Sequence, residues 1–384
     1  MKRVSDLPPA LVLPLPLILC IQVMLWVVLM PISLRGRVDF RAFYAAGYMA
    51  RNGKAAQIYD YESEEAIQNS LIEEKGIAPY IHPPYEALLF LPFSFLKFRT
   101  ASVAFMIFNL ALLAAAVFLL QRHGAEPMSW RVLALLSAAF APFSVTILFG
   151  QDVIVMLFFL VVSLTLLREG RDLAAGMTTG MCLFRFQIAL PILLLFLLWK
   201  RWRFAAGFAL SAICVLALSL AMVGPIGFAR YAQALISASL VNPVTLPGYG
   251  QVKPSLMPNL RGLVTVFMGS HLSARGTYVM IFALSTLLIW WIARQNPRKE
   301  HALLVAIPVS LMVAYHSYVY DLSILAVPLF PALLRPAKSA VSGAIAFVAP
   351  AFALLFPSAL CLVTVPLMVF ALSLRSSGEL RAVD

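Results

Sequence analysis

The feature that most constrains this chain is a succession of long apolar runs separated by short polar connections. The runs recur from about residue 8 to residue 374, and most approach the roughly 20 residues that a transmembrane helix needs. Apolar residues make up 62% of the 384 residues and charged residues only 12%, whereas soluble domains are about half apolar and about a quarter charged. The sequence therefore predicts a polytopic membrane protein and excludes a soluble enzyme, a secreted disulfide scaffold and a disordered chain.

The net charge of +12 is compatible, by itself, with either nucleic-acid binding or basic cytoplasmic loops. In membrane proteins the excess of Lys and Arg lies in cytoplasmic loops beside anionic lipid, and the sequence carries no nucleic-acid-binding motif. We therefore expect the lipid bilayer, and no nucleic acid, as the partner of this charge. Lys2 and Arg3 precede the first apolar run, which predicts a cytoplasmic N-terminus and an uncleaved first crossing.

The runs predict an all-α bundle of about 11–13 transmembrane helices that forms a single integral membrane domain. A long first extracytoplasmic loop is expected at 34–84, with helix-compatible stretches near 40–51 and 61–75. Residues 85–97 are apolar but too few to cross, which indicates a re-entrant or interfacial element. A second long extracytoplasmic loop is expected at 225–276, and the C-terminus is expected in the cytoplasm. The predicted crossings after the first are 101–121, 131–149, 152–167, 173–187, 188–199, 204–224, 277–293, 301–315, 321–334, 340–356 and 358–374.

Several polar residues that are unusual in membrane-spanning helices lie at one end of the predicted helices. Polar groups at membrane depth are costly, and they are usually functional or line water. On the predicted topology these residues face the extracytoplasmic side, which suggests one shared cavity there. They are Asp39, His82, Gln151, Asp152, Arg185, Gln187, His316 and Asp321.

Asp39 follows the first crossing and has three arginines close to it in sequence, among them Arg41. Nearby arginines favour the ionised form of a carboxyl group and keep it available as a proton acceptor. The alternative is a juxtamembrane cluster of salt bridges with lipid headgroups. Tyr44 follows in the same loop, and His82 lies between two tyrosines beside a double proline. These aromatic residues form either a sugar-binding platform or an aromatic belt at the membrane interface.

Arg185 and Gln187 interrupt a long apolar run. A guanidinium binds phosphate oxygens in bidentate fashion, so Arg185 is a candidate anion clamp, while an arginine that snorkels to the interface is the alternative. Gln151 lies in a polar turn that either serves only as a turn or faces the cavity. His316 and Asp321 belong to the densest polar cluster inside an apolar run, where an imidazole can contact a phosphate or a sugar hydroxyl.

The sequence lacks the motifs of metalloproteases, esterases, P-loop ATPases and dinucleotide-binding proteins. No acidic pair has the spacing of a divalent-metal site, and Asp39, Asp152 and Asp321 can converge only through the fold. We therefore expect no metal ligands among the site residues.

Several short motifs occur in order along the chain. They are Val38-Asp39-Phe40 with Tyr44, Gly53 with Ile58-Tyr59-Asp60, Tyr80-Ile81-His82-Pro83-Pro84-Tyr85, Phe149-Gly150-Gln151-Asp152, Ala175-Gly176 with Gly180 and Arg185-Phe186-Gln187, and Tyr320-Asp321. This ordered set spans about residues 39–321. It resembles family 87 of the GT-C membrane glycosyltransferases, the polyprenyl-phosphate-mannose-dependent mannosyltransferases.

The resemblance implies a GT-C-type bundle that moves a sugar, in the first place mannose, from a polyprenyl-phosphate-linked donor to a hydroxyl of a glycolipid or cell-envelope glycan. It implies an inverting reaction with Asp39 as general base, in a site on the extracytoplasmic face of the cell (inner) membrane, with no cofactor, metal or nucleotide required. Arg185 and His316 would stabilise the leaving phosphate. The expected substrate-binding residues are Arg41, Tyr44, His82, Gln151, Arg185, Gln187, His316 and Asp321.

Two alternatives stay open at this point. Relatives also transfer arabinofuranose, and this chain has Arg185-Phe186-Gln187 where many relatives carry Lys-Pro-Gln. A transporter or flippase of lipid-linked glycans would have similar hydrophobicity. Transporters carry corresponding broken helices in two related halves, whereas this sequence has one such break near 176–191 and no repeat, which favours an enzyme. A catalytically inactive glycan-binding member is also compatible with the sequence.

Overall fold

The computed structural model describes residues 7–122, 129–240, 253–295, 297, 299–333 and 338–376. Helices make up 82% of it, and the described residues form no strand. The predicted all-α class is therefore confirmed. Lys2 and Arg3 of the predicted cytoplasmic N-terminus, and residues 241–252 of the second predicted loop, lie outside the described residues.

The α-helices of the described residues are numbered α1 to α18 in chain order. They are Pro9–Val12, Leu15–Arg35, Phe40–Arg51, Tyr61–Leu71, Ala87–Phe90, Phe98–Arg122, Trp130–Ala139, Ala141–Phe149, Val153–Arg168, Asp172–Gly180, Phe186–Leu198, Trp202–Leu240, Leu260–Met268, Ala274–Ala293, Lys299–Val313, Ala326–Leu333, Lys338–Ala353 and Thr364–Ser376. Short 3-10 helices lie at Ala55–Gln57, Pro84–Glu86, Pro92–Phe95, Met181–Arg185, Pro254–Leu256, Val319–Leu325 and Pro357–Val363.

Among the described residues, six helical stretches are long and apolar enough to cross a membrane, and α7 with α8 adds a seventh if this pair, bent by 64°, counts as one span. Four further apolar helices are shorter, at Val153–Arg168, His301–Val313, Val319–Leu333 and Ser339–Ala353. A polytopic membrane protein is therefore confirmed. The prediction of two separate crossings at 173–187 and 188–199 is wrong, because α10, a 3-10 turn and α11 form one helical stretch, Asp172–Leu198.

Asp39 lies in the short connection between α2 and α3. α2 ends at Gly36, whose φ of 87° is left-handed and suits glycine. Asp39 is then the residue immediately before the first turn of α3. α3 packs on α5, where the Phe43 and Phe90 rings stack with centroids 4.6 Å apart. A Cβ at Gly47 would lie 2.6 Å from the carbonyl carbon of Phe90, so the close approach of α3 to α5 requires glycine.

α10 and α12 also approach each other closely through glycines. A Cβ at Gly207 of α12 would lie 1.9 Å from the carbonyl oxygen of Leu173 in α10. A Cβ at Gly176 of α10 would lie 1.9 Å from the carbonyl oxygen of Phe204 in α12. This tight packing of α10 on α12 fixes the start of the helical stretch that continues to Arg185.

The two segments predicted to lie outside regular spans contain helices. Residues 85–97 hold α5 and the 3-10 helix Pro92–Phe95, each four residues long, far below the roughly 20 residues of a crossing. α12 kinks at Gly224, whose φ is 68°, and continues to Leu240. Residues 225–240 of the predicted second loop are therefore helical, while the side of the membrane on which this segment lies stays a prediction.

Candidate functional site

Arg185 lies at the centre of a buried polar cluster and is 2% exposed. Its Nε donates to Asp152 Oδ1 at 2.8 Å, and its Nη1 donates to Asp321 Oδ1 at 3.1 Å. Its Nη2 donates to both Asp152 Oδ1 and Gln151 Oε1. The Tyr320 ring lies beside the guanidinium, with its centroid 5.3 Å from Cζ. Several charge-assisted bonds of this kind hold a buried arginine firmly.

The turn between α8 and α9 supplies two members of this cluster. Gly150 ends α8 with a left-handed φ of 65°, and Asp152 lies immediately before α9. A Cβ at Gly150 would lie 2.5 Å from Cβ of Phe40, the first residue of α3. The glycine thus lets this turn pack against the start of α3, which brings Gln151 next to Asp39.

Asp39 is linked to Arg185 through the amide of Gln151. Gln151 Nε2 donates to Asp39 Oδ2 at 2.5 Å, while Gln151 Oε1 accepts from Arg185. This amide orientation is the one that satisfies an acidic partner on one side and a cationic partner on the other. The Asp39 side chain is partly exposed, whereas Asp152 and Asp321 are 0% exposed. The Arg185 network, as defined here, consists of Arg185, Gln151, Asp39, Asp152 and Asp321.

Two of the three arginines that neighbour Asp39 in sequence are bonded elsewhere. Arg37 pairs with Glu74 at 2.6 Å. Arg41 is buried and donates to one amide side chain and three backbone carbonyls of the first loop. The cation connected to Asp39 in the structure is Arg185, which is distant in sequence. The expectation that local arginines surround this carboxylate is therefore corrected.

The structure does not bring three of the expected substrate-binding residues to the Arg185 network. Arg41 is bonded to acceptors within the first loop, as described above. Tyr44 is 3% exposed, and its hydroxyl donates to the carbonyl of Leu96 at 2.8 Å. Gln187 lies in the first turn of α11 and is partly exposed. Their roles in substrate binding stay predictions.

His316 lies in the turn between α15 and the 3-10 helix Val319–Leu325. Its ring packs edge-on against Tyr318, with ring centroids 4.7 Å apart. Burial, and then the charges of Arg261 and Arg185, lower the pKa of His316 to about 4. The imidazole is therefore neutral near pH 7 and can both donate and accept a hydrogen bond. Asp321 Oδ2 accepts from the Tyr318 N–H at 2.7 Å and closes the same turn.

His82 reaches the cluster from the segment before α5. Its Nδ1 lies 2.8 Å from Glu86 Oε2 and 4.0 Å from Asp152 Oδ2. Burial, together with the nearby charge of Asp152, raises the pKa of Glu86 well above its usual range. Burial is the largest influence on Asp152 and opposes its ionisation, but the charge and hydrogen bonds of Arg185, together with the contacts of His82 and Glu86, lower the pKa of Asp152. Burial lowers the pKa of His82 to about 3.

Two features of this arrangement were not predicted from the sequence: the presence of Glu86 and the pairing of Asp152 with Arg185. Glu86 was missed because it is enclosed by apolar residues, and the available signal was its four-residue spacing from His82. Asp152 was noted as a polar residue but not as the partner of Arg185. The pairing of Asp152 with Arg185 was indicated by their opposite charges in apolar surroundings. A buried charge without a partner of opposite charge is costly.

The fold and this cluster define an integral membrane protein with a charged polar site between its helices. Residues 80–314, more than half of the chain, match the sequence profile of glycosyltransferase family 87. The chain therefore belongs to glycosyltransferase family 87, which confirms the resemblance carried by its motifs. No curated protein and no solved structure gives a significant match. The matched range includes Gln151 and Arg185, whereas Asp39 lies before it and Asp321 lies after it.

Proposed function

We propose that this protein is an inverting glycosyltransferase that moves a sugar from a polyprenyl-phosphate-linked donor to a hydroxyl of a glycolipid or cell-envelope glycan. Family membership supports glycosyl transfer in general. The observation that carries the finer proposal is the partly exposed Asp39, held by the Gln151 amide beside the buried Arg185. We propose mannose as the donor sugar. The transfer step needs no nucleotide or metal, because a lipid phosphate is already a good leaving group.

Asp39 is the acid of the Arg185 network that best suits a general base. A base needs a free lone pair within reach of the substrate. Asp152 and Asp321 are fully buried and bonded to Arg185. Asp39 is partly exposed, and the contact with the neutral Gln151 amide involves its Oδ2. We therefore assign Asp39 Oδ1 as the atom that takes the proton of the acceptor hydroxyl.

In the proposed reaction, the acceptor oxygen attacks the anomeric carbon as its proton passes to Asp39. The lipid phosphate leaves from the opposite face of the sugar, so the anomeric configuration inverts. The leaving phosphate needs positive charge and hydrogen-bond donors rather than protonation. We propose that the partly exposed neutral His316 donates to a phosphate oxygen. Arg185, most of whose donors are occupied, supplies charge and positions Gln151 and Asp39.

We place this site on the extracytoplasmic face of the inner membrane, with both termini in the cytoplasm. The support comes from α9, which has Asp152 immediately before its first residue and Arg168 at its last. Arg171 follows in the same connection. Because basic connections favour the cytoplasm, the opposite end of α9, with the Arg185 network, faces outward.

The donor class and the stereochemistry can be tested with the full-length protein in lipid nanodiscs. The protein is incubated with a membrane glycolipid extract and with radiolabelled mannose carried either on polyprenyl phosphate or on a nucleotide. We expect label in the glycolipid from the lipid-linked donor alone, with an anomeric configuration opposite to that of the donor by NMR. Label from the nucleotide donor, or a retained configuration, contradicts the proposal. Translocation of the lipid-linked sugar in vesicles without transfer would identify a transporter instead.

A further inference from the structure

We propose that His82, Glu86 and Asp152 form a binding site for one divalent transition-metal cation. The three residues come from the segment before α5 and from the turn before α9. One ligand atom from each lies within 4.8 Å of the other two. The closest pair, His82 Nδ1 and Glu86 Oε2, is 2.8 Å apart. Ligands of a tetrahedral ion with bonds of about 2.0–2.2 Å lie roughly 3.4 Å apart, which falls inside this range.

The atoms that face one another in this group have unmet hydrogen-bonding capacity. Glu86 is 2% exposed and Asp152 is 0% exposed. Within the described part of the chain, the Tyr80 hydroxyl is the one outside contact of the Glu86 carboxyl group, and Asp152 Oδ2 and His82 Nδ1 have no hydrogen-bond partner beyond the group itself. Buried polar groups in native proteins almost always have a partner, and exceptions call for an explanation such as an ion. A cation at the centre of the group would satisfy these atoms together.

The charge balance of the region also favours a bound cation. Within the described residues, the guanidinium of Arg185 is bonded to Asp152 and Asp321, and Asp39 is linked to it through an amide. Glu86 adds a fourth carboxyl group next to Asp152. Four carboxyl groups therefore lie around one guanidinium, and a cation beside Asp152 and Glu86 would compensate the negative charge that Glu86 gains when it binds as a carboxylate. A bound dication supplies this positive charge on the side of Asp152 opposite Arg185.

The ligand types select the class of cation. One imidazole nitrogen with two carboxylates suits Zn²⁺ or Mn²⁺, whereas Mg²⁺ and Ca²⁺ prefer sites made of oxygen alone. Three protein ligands also leave a coordination position open. The backbone and ring of His82 are both held in place: the Tyr59 hydroxyl donates to the His82 backbone carbonyl at 2.6 Å, and the ring packs edge-on against Phe43.

The site has a structural consequence for the Arg185 network. A cation bound through Asp152 Oδ2 leaves Asp152 Oδ1 bonded to Arg185. It would thereby fix Asp152 and, through Arg185 and Gln151, the position of Asp39. This positioning role is separate from the transfer step and does not depend on the sugar donor.

Equilibrium metal binding tests the proposal directly. The full-length protein in nanodiscs is stripped with a chelator and dialysed against Zn²⁺, with Mg²⁺ and Ca²⁺ as separate arms, and bound metal is measured by inductively coupled plasma mass spectrometry. We expect one Zn²⁺ per chain and at least about tenfold weaker binding in Glu86→Gln. Glu64→Gln, which changes a buried acid of the first loop outside the site, should bind as the unaltered protein does. Absence of stoichiometric Zn²⁺, equal binding by Glu86→Gln, or tighter binding of Mg²⁺ or Ca²⁺ overturns the proposal.

A second measurement keeps the test valid if Glu86→Gln fails to fold. Co²⁺ added to the stripped, unaltered protein should give visible absorption bands of a nitrogen- and oxygen-ligated ion, and Zn²⁺ should abolish them. Zn²⁺ should also raise the melting temperature of the unaltered protein, since a ligand that binds the folded state stabilises it. Absence of the Co²⁺ bands overturns the proposal. These readouts report binding and are unaffected by whether the protein transfers a sugar.

Discussion

Arg41 and Arg185 are both buried arginines of a membrane protein, but their partners differ in charge. Arg41 is 5% exposed and meets neutral acceptors. These are Gln68 Oε1 and the carbonyl oxygens of Gly36, Glu74 and Gly76. Arg185 meets two carboxylates and the Gln151 amide, which in turn donates to Asp39.

The difference indicates a folding role for Arg41 and fits the functional role that we propose for Arg185. The Arg41 network, defined as Arg41 with Gln68 and Glu64, joins α3, α4 and the loop after α4. It uses local acceptors and closes the first loop. The Arg185 network joins residues far apart in the chain and contains more acids than its one arginine neutralises. Such an arrangement is costly to maintain, and it is typical of sites that act on a substrate.

The largest expected effect is that of Arg185→Met, which removes the cation of its network. Asp152 and Asp321 would remain buried without it, and breaking a buried ion pair costs about 3–5 kcal/mol. We expect a large fall in the melting temperature in nanodiscs and loss of sugar transfer. Arg185→Lys is the matched variant, which keeps the charge and loses the planar fork. It should recover part of the stability. A melting temperature unchanged in Arg185→Met would contradict the account.

Arg41→Met should destabilise the protein less than Arg185→Met does, and only through the first loop. The variant leaves several buried acceptors without donors, at roughly 1–3 kcal/mol for such a loss. We expect a lower melting temperature, with transfer per folded molecule much less affected than in Arg185→Lys. Both quantities are measured on the same nanodisc preparation. If transfer per folded molecule falls as far as in Arg185→Lys, Arg41 belongs to the substrate site, as its sequence position suggested.

Glu64 gives the Arg41 network a pH dependence. Burial raises the pKa of Glu64 to about 8, against about 4.3 in an unfolded chain. Between these values the folded protein holds a proton that the unfolded chain has lost, so this contribution to stability falls as the pH rises toward 8. Glu64→Gln should therefore raise the melting temperature little at pH 5 and more at pH 8. Glu62→Gln, on the exposed face of α4, is the control; the same trend in it would refute the assignment.

The smallest expected effect is that of Arg37→Gln. Arg37 forms an exposed ion pair with Glu74, and such pairs often contribute nothing measurable to stability. We expect an unchanged melting temperature and unchanged transfer. A clear loss of transfer would show that an arginine next to Asp39 in sequence acts on this carboxylate after all.

The membrane class and the helices of the first loop could be predicted from the sequence. Apolar runs report burial in lipid directly, and the predicted helical stretch near 40–51 corresponds to α3, Phe40–Arg51. Arg41 was expected beside Asp39 because it is two residues away. Residues at this spacing do not face each other on a helix. Sequence proximity therefore misled the interpretation.

The contact between Gln151 and Asp39 could not be predicted, because 112 residues separate them. It depends on the close packing of Gly150 against Phe40, which is a property of the assembled helices. The pairing of Arg185 with Asp321 is of the same kind, at 136 residues. The sequence indicated which polar residues are unusual, and the packing decides which of them meet.

The most direct test of the central claim is the turnover number of Asp39→Asn with the lipid-linked donor. Removing a general base lowers a rate by about 10²–10⁴-fold, and the Gln151 contact can persist with an asparagine. We predict at least about 100-fold slower transfer with a melting temperature close to that of the unaltered protein. Asp60→Asn, which keeps the cap of α4 in the same loop, should transfer normally. Transfer by Asp39→Asn at the unaltered rate would contradict the account.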